Sequence, residues 1–229
     1  MKKFIKKLPI LLAVNFIFCG CVNNSYSNIE GYSDVNNAKR LFSELNSGHF
    51  YMQDNTTGQK TEEFTFMYNQ NGNLVYSHTA TDGDDIYYEY CNGAELSYKH
   101  KNDKDWSLLT YGDENFTIYT RENKHPYTDG GVISVNAYAI TSSVVETNSE
   151  GKKVTFTYDP SALASSLASL GDLKSFESSL WLNNDGYCYR LDQKAVFKNA
   201  ENDGESVSDY SLFIDNMNGV EEVSKPEAD

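Results

Sequence analysis

Basic residues are few once the first twenty positions are set aside. Lys2, Lys3, Lys6 and Lys7 stand in an acid-free opening segment, which leaves fifteen Lys and Arg against 33 Asp and Glu in the rest of the 229-residue chain. A surface that acidic repels phosphate backbones and excludes a nucleic-acid partner. Histidine is also rare, at His49, His78, His100 and His125, and no two stand at metal-ligand spacing. No apolar run reaches the roughly 20 residues of a membrane-spanning helix. Gly-x-Ser-x-Gly, phosphate-loop, dinucleotide and zinc patterns are missing as well. Ser149-Glu-Gly-Lys152 meets the Ser-x-x-Lys spacing, but in a glycine-containing turn rather than at a helix start. Adjacent acids such as Glu62 and Glu63 carry little information in so acidic a chain. Asp82, Asp84 and Asp85 offer oxygen ligands without the alternate spacing of a calcium loop, so they suit a solvated turn. The expectation is a non-enzyme with no catalytic residue, no metal and no cofactor.

The 17 Tyr, 12 Phe and 2 Trp supply what the charge balance does not, enough apolar surface for a core. The opening segment has the anatomy of an export signal: the lysines, then a short apolar run from Leu8 to Phe18, then small Gly20 before Cys21. Phe18-Cys19-Gly20-Cys21 resembles the bacterial lipobox, with Phe18 where an aliphatic residue is usual. That resemblance implies a signal peptide at 1–20 and diacylglycerol attachment at Cys21. Acyl chains hold a protein to a bilayer by about 0.8 kcal/mol per buried methylene. Residues 21–33 suit a lipidated tether, 34–223 a single domain, and 224–229 an acidic tail that frays along with the residues from Glu221. The expected location is the extracytoplasmic face of a bacterial membrane. Cys91 and Cys188 are the two thiols left in the domain; a disulfide and two free thiols both fit the sequence.

Elements follow from periodicity. Val35, Ala38, Leu41, Phe42 and Leu45 share a helical face, predicting a helix over Asp34 to Asn46 that Ser33 or Asp34 caps and Gly48 ends. Alternating runs at Phe64/Phe66/Tyr68, Leu74/Tyr76/His78, Ile86/Tyr88/Tyr90 and Leu96/Tyr98/His100, split by Asn-, Asp- and Gly-rich turns, predict an antiparallel meander. Short segments near Trp106–Tyr111 and Phe116–Thr120 extend it. Residues 130–147 fit helix or strand, and their length favours helix over part of the stretch. A strand at Val154, Phe156 and Tyr158 leads to a helix opened by Asp159-Pro160 and ended by Gly171. Strands near Ser175–Leu182, Tyr187–Phe197 and Val207–Ile214 complete the chain.

Phe64, Phe66, Tyr76, Tyr88, Tyr98, Phe116, Phe156, Tyr187, Tyr189 and Tyr210 recur on one strand face. Most belong to the core; the sharper reading is that a subset lines a cavity for an apolar ligand. The candidate ligand-binding residues are Phe64, Phe66, Tyr76, Tyr88, Tyr98, Phe156, Tyr187 and Tyr189.

The order of elements resembles the superfamily of LolA-like lipoprotein-localisation factors and LppX-type lipid carriers. The carrying features are Cys21, the helix over Asp34–Asn46, the meander over Phe64–Thr120, Lys153-Val-Thr-Phe-Thr-Tyr158, the capped helix from Asp159, Leu180-Trp-Leu-Asn-Asn-Asp-Gly-Tyr187, and the close from Tyr210 to Pro226. The resemblance implies an α+β fold, mostly antiparallel β, in which a curved half-barrel sheet covers two or three helices. It also implies an apolar or amphipathic cargo such as lipid. The alternative is a non-catalytic interaction or carbohydrate-binding module that uses Trp106 and Trp181 as stacking platforms.

Overall fold

A computed structural model describes residues 26–167, 172–198 and 204–227, with side chains described only to Leu163 in the second helix. Helix α1 (Tyr32–Ser43) is followed by β1 (Ser47–Asp54), β2 (Lys60–Tyr68), β3 (Leu74–Asp82), β4 (Asp85–Cys91), β5 (Leu96–His100) and β6 (Ser107–Leu109). After thirty residues with only two short 3₁₀ turns come β7 (Ile140–Asn148), β8 (Gly151–Tyr158), α2 (Pro160–Leu167), β9 (Asp172–Asn183), β10 (Cys188–Lys198) and β11 (Glu205–Asp215).

All eleven strands form one curved, open antiparallel sheet in the order β6-β5-β4-β3-β2-β1-β11-β10-β9-β8-β7. Two meanders, β1 to β6 and β7 to β11, therefore meet at its centre through β1 and β11, where His49 to Asp54 pair with Asp215 to Tyr210. The chain leaves the first meander at one edge and must re-enter at the other. Residues 110–139 make that passage as a strap, and its buried Tyr127, Val132 and Ile133 join the core with Phe64, Phe156 and Leu180. Helix α1 adds Val35, Ala38 and Phe42 to the same core, and α2 adds Leu163. Alternation explains the buried face: Phe50 and Met52 in β1, Phe64 and Phe66 in β2, Leu191 in β10 and Leu212 in β11 point one way, with polar neighbours opposite.

Several expectations need correcting. Residues 130–147 form no α-helix: the 3₁₀ turns Gly131–Ile133 and Ala137–Ala139 lead into β7, whose β-branched residues pair with β8. The Phe116–Thr120 segment makes only an isolated bridge, Thr120 to Asn73. Strand β1 was not foreseen. Helix α1 starts after Gly31 with no side-chain cap and stops before Gly48, and Gly171 lies outside the described residues. The C-terminal segment packs rather than frays through Lys225, with Val223 buried and the Lys225 ammonium 3.9 Å above the Trp106 ring. Cys91 and Cys188 are free and buried. They sit on β4 and β10 with four strands between them, about 24 Å along the sheet, far beyond bridging range.

Two glycines permit close approaches that no other residue allows. Gly130 (φ 85°) lets the strap lie against α1, where a Cβ would come within 2.6 Å of the Lys39 carbonyl oxygen. Gly151 (φ 145°) starts β8 so near β9 that a Cβ would fall 1.9 Å from the Leu182 carbonyl oxygen. Gly151→Ala is expected to cost at least about 2 kcal/mol from backbone strain and displacement of β9. A urea midpoint unchanged from the parent protein would show that the hairpin relaxes freely.

Candidate functional site

The face of the sheet beneath the strap is aromatic, then polar. Phe64 on β2 stacks on Phe50 of β1 (5.3 Å), on Tyr76 of β3 (5.3 Å) and on His125 of the strap (5.2 Å), and meets the edge of Tyr127 at 5.0 Å. The register Phe64↔His78↔Glu89↔Tyr98 carries the same face outward across β3, β4 and β5. Glu62, two residues before Phe64, therefore points under the strap and is 3% exposed.

One carboxylate oxygen of Glu62 takes the His78 ring nitrogen at 2.7 Å and also accepts from the Tyr127 hydroxyl of the strap. Its other oxygen, Oε2, has no hydrogen-bond partner among the described residues. Glu89 lies beside this pair and accepts from Tyr76 and Tyr87, each at 2.5 Å. Burial disfavours the His78 imidazolium, but the Glu62 hydrogen bond and charge, with Glu89 behind them, outweigh it and raise its pKa above the usual imidazole value. Burial and the positive charge of His78 push His125 the other way, down to about 3. Desolvation first, then the neighbouring carboxylate, holds the Tyr76, Tyr87 and Tyr127 hydroxyls above the ordinary phenol range. The result is a hydrogen-bonded His–Glu pair joined to a neutral histidine and protonated tyrosines, which suits latching the strap to the sheet.

The aromatic candidates divide. Phe64, Phe66, Tyr76 and Phe156 are buried in the core, in one cluster with residues of the strap and helices. Tyr98 lies on that same face, half-buried, opposite Glu89. Tyr88 does not: β4 turns Tyr87, Glu89 and Cys91 inward, and Tyr88 lies on the opposite face, 6.4 Å from Trp106. Tyr187 is half-buried at the β9–β10 turn, while Tyr189 is exposed. Of the remaining stripe, Tyr210 packs partly buried against the core. Cys21 lies outside the described residues. Among the described residues no three His, Cys, Asp or Glu side chains gather to hold a metal. His78 and His100 flank Tyr87 without meeting, each beside its own carboxylate, Glu62 and Asp85.

Neither tryptophan is an open platform. A row crosses the outer face from Glu63 through Tyr51, Phe213, Arg190, Trp181 and Lys153 to Glu146, one residue per strand. Arg190 and Lys153 stand over the Trp181 ring at 4.7 and 5.1 Å, and Tyr51 stacks on Phe213 at 4.9 Å. Lys225 covers Trp106. The missed residues are Glu62, Glu89, His125 and Tyr127; alternation with Phe64 was the one signal that could have placed Glu62 inside.

No family model and no curated protein sequence matches the chain. Among solved structures, two that it is similar to are mycobacterial lipoproteins. LprF from Mycobacterium bovis is 11% identical with a TM-score of 0.48, over 87% of this chain and 97% of that one. The Mycobacterium tuberculosis lipoprotein LppX is 16% identical with a TM-score of 0.46, over 84% of this chain and 97% of that one.

Proposed function

We propose that this is an exported lipoprotein, anchored through Cys21 to the extracytoplasmic face of a membrane. In this reading the 34–223 half-barrel carries an apolar or amphipathic ligand such as lipid, without catalysis. The observation that supports it is the covering of the inner face. Apolar residues run across β1, β2, β8, β9, β10 and β11, yet what joins them in the buried cluster is two short helices and a thirty-residue strap of irregular backbone. Uninterrupted irregular segments of that length in a domain commonly serve binding. A strap held by side-chain packing and a few polar contacts, rather than by a strand ladder, can move aside for an acyl chain more readily than a hydrogen-bonded layer. Burying that chain against the face would release about 25 cal/mol per Å² of apolar surface.

Native mass spectrometry with lipid extraction, on a soluble form beginning at Ser25, tests the carrier role. A co-purified lipid of defined mass is expected; an empty protein that also fails to bind a fluorescent fatty acid would overturn it. The anchor is tested separately. Cys21→Ser should move the protein from the membrane pellet to the soluble fraction, and unchanged retention would sink the lipoprotein reading.

A further inference from the structure

The open sheet has two edges, and they are not alike. Strands β6 and β7 end the strand order, each with a neighbour on one side only among the described residues. The β6 edge is blunt: its three residues, Ser107–Leu109, run straight into the strap. The β7 edge is nine residues long, Ile140–Asn148, and pairs with β8 alone among the described residues. A strand bonded on one side leaves about half of its N–H and C=O groups facing away, a template for another strand.

The usual protections are missing from β7. Folded proteins blunt such an edge with lysine, proline, a bulge in mid-strand or a covering segment. Ile140-Thr-Ser-Ser-Val-Val-Glu-Thr-Asn148 has no Lys, Arg or Pro, and five of its nine residues are β-branched and suited to pairing. Its one irregularity lies at the very start, between Ile140 and Ser142. Among the described residues no backbone hydrogen bond reaches its free side. Val144, in the middle, is 56% exposed.

The strand also fits itself. Antiparallel pairing of two identical strands about a twofold axis sets one residue opposite its own copy. The midpoint of Ile140–Asn148 is Val144, so the register centred there is the one that pairs the whole strand. On that register exposed Val144 meets the partner's Val144, and Glu146 faces the partner's Ser142. The two Glu146 carboxylates then stand four residues apart, roughly 14 Å along the strand. A register centred on Glu146 would oppose like charges, which destabilises a strand pair. Each Glu146 also keeps its own cation, Lys153 on β8 at 3.6 Å. Each chain carries a formal charge of −14, yet beside this seam Lys152 and Lys153 balance Glu146 and Glu150. The repulsion between copies is therefore long-range, of the kind that salt screens within about 8 Å at physiological strength.

We propose that two copies of this chain pair through β7, antiparallel about a twofold axis at Val144, which joins their sheets into one. The short β6 edge cannot extend the array, so pairing stops at two.

Sedimentation equilibrium on the Cys21→Ser chain, which keeps the domain whole and carries no acyl group, tests this. A seam of nine residue pairs is small for a specific interface, so half-dimerisation near about 50 μM is expected. Raising salt from about 0.05 to 0.5 M should strengthen it severalfold by screening the mutual repulsion. Val144→Lys sets two ammonium groups face to face and should weaken dimerisation at least about tenfold. Because Val144 is exposed, that variant should keep the parent's circular dichroism. Single cysteines read the register: Val144→Cys should form an intermolecular disulfide on mild oxidation and Ser142→Cys should not, Cys91 and Cys188 being buried. A monomer persisting to about 300 μM, well above that midpoint, overturns the proposal. So does a dimer that Val144→Lys leaves unchanged, equal cross-linking at 142 and 144, or growth into species larger than the dimer.

Discussion

His78→Ala is expected to lower unfolding stability by about 3–5 kcal/mol. The cost arises less from losing the 2.7 Å contact than from what stays behind: a Glu62 carboxylate under the strap, with Oε2 lacking any described partner and only the Tyr127 hydroxyl on the other oxygen. Replacing both groups together, Glu62→Leu with His78→Leu, removes the stranded charge and should cost less than His78→Ala alone. Guanidinium titrations of the single and double variants measure this. A double variant as unstable as the sum of its singles would show that the two side chains are not coupled.

His78 and the strap's His125 set opposite pH slopes. His78 has a raised folded pKa, so its contribution is complete below the ordinary imidazole value near 6.5 and is lost as pH rises through the folded value. His125 stays neutral in the fold down to about 3, so the unfolded chain takes up the proton first and stability falls as pH drops from 6.5 toward 3. Each slope is at most about 1.4 kcal/mol per pH unit. These two groups together put a maximum near pH 6.5. His125→Phe should flatten the acid limb and His78→Leu, in the Glu62→Leu background, the alkaline one.

Phe64→Ala should cost about 3–5 kcal/mol, the range for emptying a buried phenylalanine site. Phe64 is fully buried and touches Phe50, Tyr76, His125 and Tyr127, so it binds three strands and the strap in one contact set. The loss should be uneven. Amide hydrogen exchange over 119–128 is expected to quicken well beyond that of β9 and β10, because the strap has few backbone hydrogen bonds to fall back on. A cost under about 1.5 kcal/mol would mean that the interior around Phe64 is already loosely filled. Uniform acceleration across the sheet would mean that strap and sheet open as one unit.

The hairpins of β2 to β5 were legible because Asn, Asp and Gly clusters punctuate them, and residue alternation placed Phe64, Phe66 and Tyr76 correctly inside. Strand β1 escaped for a physical reason: its inward positions are Gly48, Phe50 and Met52, and in the sequence Gly48 reads as a helix stop although the helix has ended at Ser43. The phase of β4 was misread because tyrosines occupy both faces at 87, 88 and 90, so hydropathy offers no contrast. The Gly83-Asp84 turn pairs Asp82 with Asp85 and decides it. Glu62, Glu89 and His78 look like surface residues until the strap is laid over them, and a strap with no periodicity announces nothing. The register shift that makes Tyr189 a bulge of β10 depends on the facing strand, which residue spacing along β10 alone does not encode.

The join between β1 and β11 has a consequence for how the chain reaches this state. Every other strand pair links sequence neighbours, closed by short turns or by the α2 connection, whereas His49 and Asp215 are 166 residues apart. Two locally formed meanders should therefore arise early and wait on one slow long-range closure. The order of assembly also makes the backbone link through the strap dispensable once closure has occurred. A single proteolytic nick beside Tyr111, where the side chain is 89% exposed, would leave two fragments still zipped together down the middle of the sheet. The molecule is, in effect, a two-piece assembly supplied on one chain.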